Sequence, residues 1–168
     1  MGKGDDPNCL APVAMPHPFA QSDIALASSA DLDSVRDAIR PDDADISDIF
    51  PLEMGLESGR LYKFVRDGRI AGLLRADEWD EDGGTVMDPW LWVHPAFRRQ
   101  GVGTEMLHRL SEIPHLRSCP PRVSVKPNNH ASTAMVLKAG WVQVAVIHHT
   151  PGEVNGELDL VVFEPQAP

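Results

Sequence analysis

The chain has 168 residues, with 25 acidic and 15 basic side chains, a formal net charge of −10 and 42% hydrophobic residues. That length is enough for one domain with a substantial core. The acidity argues against nonspecific nucleic-acid or anionic-membrane partners, which attract basic surfaces.

Residues 1–21 carry Pro7, Pro12, Pro16 and Pro18 without periodicity and read as an irregular leader to a single domain at 22–168. A short strand is predicted at 24–27. A helix follows from Ser29 to about Ile39, capped by Ser29 or Asp31, with Leu32, Val35, Ala38 and Ile39 on its apolar face. Pro41 ends it, and after the acidic run Asp42, Asp43, Asp45 and Asp48 a second short helix is predicted over 45–58. Strands at 61–66 and 69–76 are joined by Asp67-Gly68, a strong hairpin signal. An acidic loop is expected at 77–84. The next strand, 85–93, contains Pro89, which cannot donate to a ladder and predicts a bulge or an opening.

The stretch after that strand carries the chemistry. Leu91-Trp92-Val93 leads through His94-Pro95 to a basic turn, Arg98-Arg99-Gln100, and then to Gly101-Val102-Gly103-Thr104. Met106, Leu107, Leu110 and Ile113 come next at helical spacing, and Pro114 stops the helix. The first N–H groups of a helix lack partners, and the peptide dipoles add positive charge there. Glycines at 101 and 103 are expected to let a bulky anion approach, and Arg98 and Arg99 add full charge. This is a strand–turn–helix site for a phosphate or pyrophosphate. It is neither a Walker A loop, since no Gly-Lys-Ser/Thr is present, nor a complete dinucleotide fingerprint.

Beyond it lie a β-branched strand at 122–126, a helix at about 131–139 preceded by Asn129 and closed by Gly140, and strands at 142–148 and 158–163 around Pro151-Gly152. Cys9 and Cys119 fit neither a disulfide framework nor a ligand spacing, so no metal site is expected. No apolar run approaches the ~20 residues of a membrane helix. The first twenty residues lack the apolar run of a signal peptide, and a cytoplasmic location is expected.

Arg98-x-x-Gly101-x-Gly103, the element order β-α-α-β-β-β-α-β-α-β-β, and Asn129 followed by Lys138-Ala139-Gly140-Trp141 together resemble the GNAT N-acetyltransferase superfamily. The resemblance covers roughly residues 22–164. It implies an α/β (α+β) fold: a mixed, mostly antiparallel central sheet, helices on both faces, splayed central strands. It implies acetyl-CoA as cosubstrate, with the pyrophosphate on Arg99, Gln100, Gly101, Val102, Gly103 and Thr104, Arg98 opening the motif, and the pantetheine arm along the backbone of Leu91, Trp92 and Val93. Asn129 resembles the family's CoA-contacting asparagine, and Ser132 stands where a cofactor contact or simple packing is expected. Val136 departs from the pattern, since many relatives carry there a tyrosine that protonates the departing thiolate. The implied reaction is direct acetyl transfer to a primary amine in a ternary complex. Asp88 is the leading carboxylate for the base, with Glu53, Glu57, Asp77 and Glu78 as competitors and His94 as a turn residue. The acceptor is a small-molecule or peptide amine, cationic on the charge argument, and self-association is expected to take the form of a homodimer. The runner-up is a catalytically degenerate CoA-binding sensor or interaction module, which Val136 favours.

Overall fold

Ser28, not Ser29 or Asp31, opens the first helix. In the computed structural model, which describes residues 22–39, 49–81, 84–113, 120–148 and 160–166, strand β1 spans Asp23–Leu26 and helix α1 spans Ser29–Val35. Ser28 and Asp31 form a reciprocal capping box. The Ser28 N–H donates to Asp31 at 2.8 Å, and the Lys63 ammonium reaches the same carboxylate at 2.7 Å, tying the cap to the sheet. Burial opposes ionisation of Asp31, but Lys63 and Ser28 outweigh it and hold its carboxyl below the usual range. A single 3-10 turn, Arg36–Ala38, replaces the expected last turn of the helix. Helix α2 is Ile49–Glu57. The acidic run at 42–48 and the start of the expected second helix lie outside the described residues, as do the leader and the Pro151-Gly152 turn.

The hairpin is where its turn residues predict it. Strand β2 is Leu61–Arg66, strand β3 starts at Arg69, and Asp67 and Gly68 take φ of 53° and 70°, the paired positive angles of a type I′ turn. Two corrections concern the strands beyond it. β3 does not stop at 76. It runs Arg69–Glu81 and pairs residue for residue with β4, Gly84–Val93, out to Glu81↔Gly84. The acidic composition of 77–81 reads as loop, but Thr85, Val86 and Met87 stand opposite, and Arg75 and Arg60 bind Asp77 and Glu78. Pro89 produces no bulge towards β3. The Met87 N–H donates to Pro120 O at 3.1 Å and Met87 O accepts from Arg122 N–H at 2.7 Å, so the backbone of Met87 faces away from β3. Two residues on, Pro89 faces the same way, and its missing N–H costs the β3–β4 ladder nothing.

The price of Pro89 falls on the other side. Met87↔Pro121 is an isolated parallel bridge between β4 and the rest of the chain, and among the described residues no pairing continues past it. The strands therefore form two sheets, β1-β2-β3-β4 and β5-β7-β6, the second built from Val123–Val125, Leu160–Pro165 and Trp141–Ile147. Helix α3 is Val102–His108, continued by a 3-10 turn at Leu110–Glu112, and helix α4 is His130–Lys138 with Gly140 beyond it at φ 80°. The element order matches that read from the sequence. Helices lie on both faces. Leu32, Val35, Ile39 and Leu52 of the α1–α2 side pack on Leu61, Leu73 and Trp92. Val102, Met106, Leu107, Leu110, Ile113 and Val136 of the other side pack on Phe64, Leu74, Ala76 and Met87.

Candidate functional site

The split between the sheets leaves an open backbone edge. Antiparallel residues alternate in which neighbour their N–H and C=O address, and Met87 fixes the phase. Leu91 and Val93 therefore present their backbone to the open side, while Trp92, opposite Leu73, addresses β3. Two of the three predicted strand residues thus have main-chain groups to offer, and Trp92 contributes a side chain 5% exposed in the α1–α2 core. The Arg98 guanidinium donates to Val93 O at 3.3 Å, closing the end of this edge.

The turn after β4 is tightly built. His94 caps the 3-10 turn Pro95–Phe97 by accepting the Ala96 N–H on Nδ1 at 3.1 Å, and its ring meets Trp92 and Phe97 edge-on. Burial, then Arg69 and Arg98, push the His94 pKa down, which keeps the imidazole neutral as a turn element. Gln100 is engaged three ways: its N–H with Phe97 O at 3.4 Å, its side-chain amide with Ala96 O at 2.8 Å, and its carbonyl with Arg66 at 3.4 Å. It is a framework residue of the turn, with no main-chain donor to spare. Arg99 and Gly101 hold left-handed φ of 63° and 81°. The first intrahelical bond runs from the Glu105 N–H to Gly101 O at 2.9 Å, so the N–H groups of Val102, Gly103 and Thr104 have no acceptor within the helix.

The two glycines act differently from one another. Gly101 supplies the left-handed angle. Gly103 is buried, and a Cβ there would overlap the Met135 sulfur of α4. Its absent side chain makes room for a neighbouring helix, not for an anion, which corrects the expectation from sequence. Asn129 is the N-cap of α4, its oxygen accepting the Ser132 N–H at 3.1 Å, which leaves the side-chain amide N–H groups as donors. Val136 is fully buried. Its position is a core position, and the sole tyrosine, Tyr62, sits on β2 and lines a groove of about 670 Å³ with Arg109 and Ile113.

Asp88 stands opposite Asp77 across β3 and β4, on the same face as Trp90 and Trp92. Asp77 is bound by Arg75. Glu78 is 3.3 Å from Arg60 and Glu53 is 3.3 Å from Arg36. Glu53 and Glu57 line a concavity of about 210 Å³ between α1 and α2.

Sequence reasoning missed the support beneath the turn. Arg66, 7% exposed, binds the Glu105 carboxylate, which also accepts the Ser22 N–H at 2.7 Å and Arg109 at 3.3 Å. Burial opposes the charge on Glu105, but Ser22 and Arg66 outweigh it and keep its pKa low. The available signal was phase: Arg66 falls on the same face of β2 as Tyr62 and Phe64, where an alternating strand places core residues. Arg69, whose guanidinium lies 5.4 Å over Phe97, adds with Arg98 to the positive charge around His94. Among the described residues no group of three or more His, Cys, Asp or Glu is placed to hold a metal ion, and no helix is long and apolar enough to cross a membrane.

An open strand edge leads into a glycine turn and a helix N-terminus, beside the division between the two sheets. The profile of the acetyltransferase (GNAT) family matches residues 30–141, more than half of the chain. The chain belongs to the GNAT acetyltransferase family; it is an acyltransferase, and acetyl-CoA is its cosubstrate. No curated protein matches it in sequence. Among solved structures, a GNAT-family acetyltransferase from Bacillus cereus shares 20% identity at a TM-score of 0.63, covering 88% of this chain and 100% of that one. A ribosomal-protein-alanine N-acetyltransferase from Brucella melitensis shares 19% at 0.65, covering 86% and 99%. The protein yncA from Salmonella typhimurium, solved with its cofactor acetyl-CoA, shares 21% at 0.60, covering 88% and 94%. At these identities the likeness is one of fold.

Proposed function

We propose that the protein transfers the acetyl group of acetyl-CoA to a primary amine by direct attack in a ternary complex. The observation that carries this reading is the backbone edge of β4, unpaired beyond Met87 among the described residues and leading into the turn at 98–104. The N–H and C=O of Leu91 and the N–H of Val93 offer the main-chain groups that an extended pantetheine arm pairs with, as an added strand would. Arg99, Gly101, Val102, Gly103 and Thr104 offer N–H donors to the pyrophosphate, with Arg98, Arg99 and Arg69 supplying charge. Asn129 and Ser132 stand at the start of α4, which packs against α3 through Met135 and Gly103.

Acetyl-CoA supplies an acyl group activated as a thioester. The chain holds that thioester and the amine in one cleft, which makes the attack effectively intramolecular. An amine of ordinary pKa ~10.4 must lose a proton to attack, and Asp88 is the residue we assign as acceptor. Val136 cannot donate a proton. A thiol pKa of ~8.5 makes the thiolate a tolerable leaving group, so the step does not require a protein acid. The acidic composition favours a cationic acceptor. A peptide N-terminus is also a natural candidate, given the name of the Brucella melitensis fold relative.

The test is thiol release from acetyl-CoA with a panel of polyamines, aminoglycosides, lysine and peptide N-termini, run beside CoA titration of Gly101→Asp. We expect release with at least one amine, and CoA affinity lowered more than about tenfold in the variant, because a carboxylate then faces the phosphates and φ is strained. Unchanged CoA affinity in Gly101→Asp would falsify the pyrophosphate placement. CoA binding without release to any amine would overturn the amine as acceptor.

A further inference from the structure

Tyr62, Phe64 and Arg66 share one face of β2. The first two fill the core. The third carries a charge into it, 7% exposed, and its Nε has no acceptor among the described residues. Burying an ion pair is a poor way to gain stability, since a hydrophobic residue in the same phase does as well or better. The partners of Arg66 indicate what the charge is for. One terminal nitrogen donates to Gln100 O at 3.4 Å, and the other binds Glu105. Gln100 immediately precedes the left-handed Gly101, and Glu105 is the first residue whose N–H is bonded within α3. The segment between them, 101–104, contains the N–H groups that the helix leaves without acceptors.

Glu105 also creates an electrostatic conflict. A carboxylate in the first turn suits the helix dipole, but it competes with any second anion brought there. Arg66 and Arg109 offset it. We infer that Arg66 is a positioning residue for acetyl-CoA, holding the Gln100 carbonyl and neutralising Glu105 so that the turn keeps its shape and its capacity for a pyrophosphate. This rests on the reading that 99–104 hold that pyrophosphate.

Calorimetric titration of the full chain with CoA and with pantetheine, which lacks the pyrophosphate, tests it. Arg66→Met should weaken CoA roughly tenfold or more and leave pantetheine within about twofold, because the lost charge acts on the phosphates. Adding Glu105→Gln to Arg66→Met should bring CoA affinity back to within about threefold of the parent, since the carboxylate that Arg66 no longer neutralises is gone. Equal losses for CoA and pantetheine, or no rescue in the double variant, would overturn the role in favour of a purely structural one. If Arg66→Met does not fold, the single variants carry the test. Arg66→Lys should stay within a few-fold of the parent for CoA, and Glu105→Gln should bind CoA at least as tightly as the parent; a Glu105→Gln protein that binds CoA more weakly overturns the inference. The outcome with Gly101→Asp separates this idea from its premise. If that variant keeps CoA affinity, the pyrophosphate turn itself is misplaced; if it loses affinity while Arg66→Met does not, only the role of Arg66 falls.

Discussion

Asp77 and Asp88 face each other across one pair of strands. Asp77 is bound by Arg75 two residues away on the same strand. Asp88 lies on the strand whose far edge is open beyond Met87. Replacing Asp88 by Asn keeps its size, turns one acceptor oxygen into an amide donor and removes the proton acceptor. The expected result is a fall in kcat of about a hundredfold at pH 7 with CoA affinity within about threefold of the parent, since a base acts on the amine and not on the cofactor contacts. Steady-state rates from pH 6 to 9 with a parallel CoA titration decide the matter; parental turnover across that range would return the role to a water or another carboxylate. Val136 is a second case in which environment overrides residue type. Its side chain is fully enclosed, so Val136→Tyr adds a phenol to the core rather than an acid to the cleft. Overpacking of this kind costs about 1–3 kcal/mol, and a drop in thermal midpoint without a gain in turnover at high pH is the expected signature.

At the level of elements, α3 and α4 are interlocked through one missing side chain. Gly103→Ala should displace Met135 and destabilise the protein by about 1–3 kcal/mol. Met135→Ala in the same chain should recover part of that loss, because the two positions are in contact and not additive. Denaturant titration of both singles and the double closes the cycle, and simple additivity would show that the helices do not meet there. Much of this architecture is legible in the sequence. The Asp67-Gly68 hairpin and the Gly140 cap obey short-range rules and are where those rules place them, and Met106, Leu107, Leu110 and Ile113 are buried together as their spacing predicts, although the α-helix ends at His108 and Leu110 lies in a 3-10 turn. The illegible parts depend on partners distant in sequence. The acidic end of β3 is a strand because β4 lies opposite it. The missing side chain of Gly103 reads as room for an anion until Met135 arrives from 32 positions away. Arg66 reads as the last residue before a turn until Gln100 and Glu105 close over it. Local propensity cannot report a neighbour that only the tertiary fold supplies.

The whole molecule is two hydrogen-bonded sheets joined, among the described residues, at a single bridge, Met87↔Pro121. Side-chain packing continues across the division: Val123, Val125, Trp141 and Phe163 of the second sheet share one core with Phe64, Leu74 and Met87 of the first. Backbone pairing does not. A globule joined by its side chains but parted in its main chain has a preferred line along which to breathe, and amide exchange reads such openings directly. In the free protein the amides of Leu91 and Val93 should exchange faster than that of Trp92, although the three are consecutive on one strand. A ligand that bonds to that edge binds the closed arrangement and not the opened one, so it withdraws population from every opening that parts the sheets. On adding CoA, slowing should therefore appear not only at Leu91 and Val93 but also at Val123 and Val125, across the division. Protection confined to β4 would mean that the two halves open independently. Protection on both sides would make the cofactor, for as long as it stays bound, a strand of the protein.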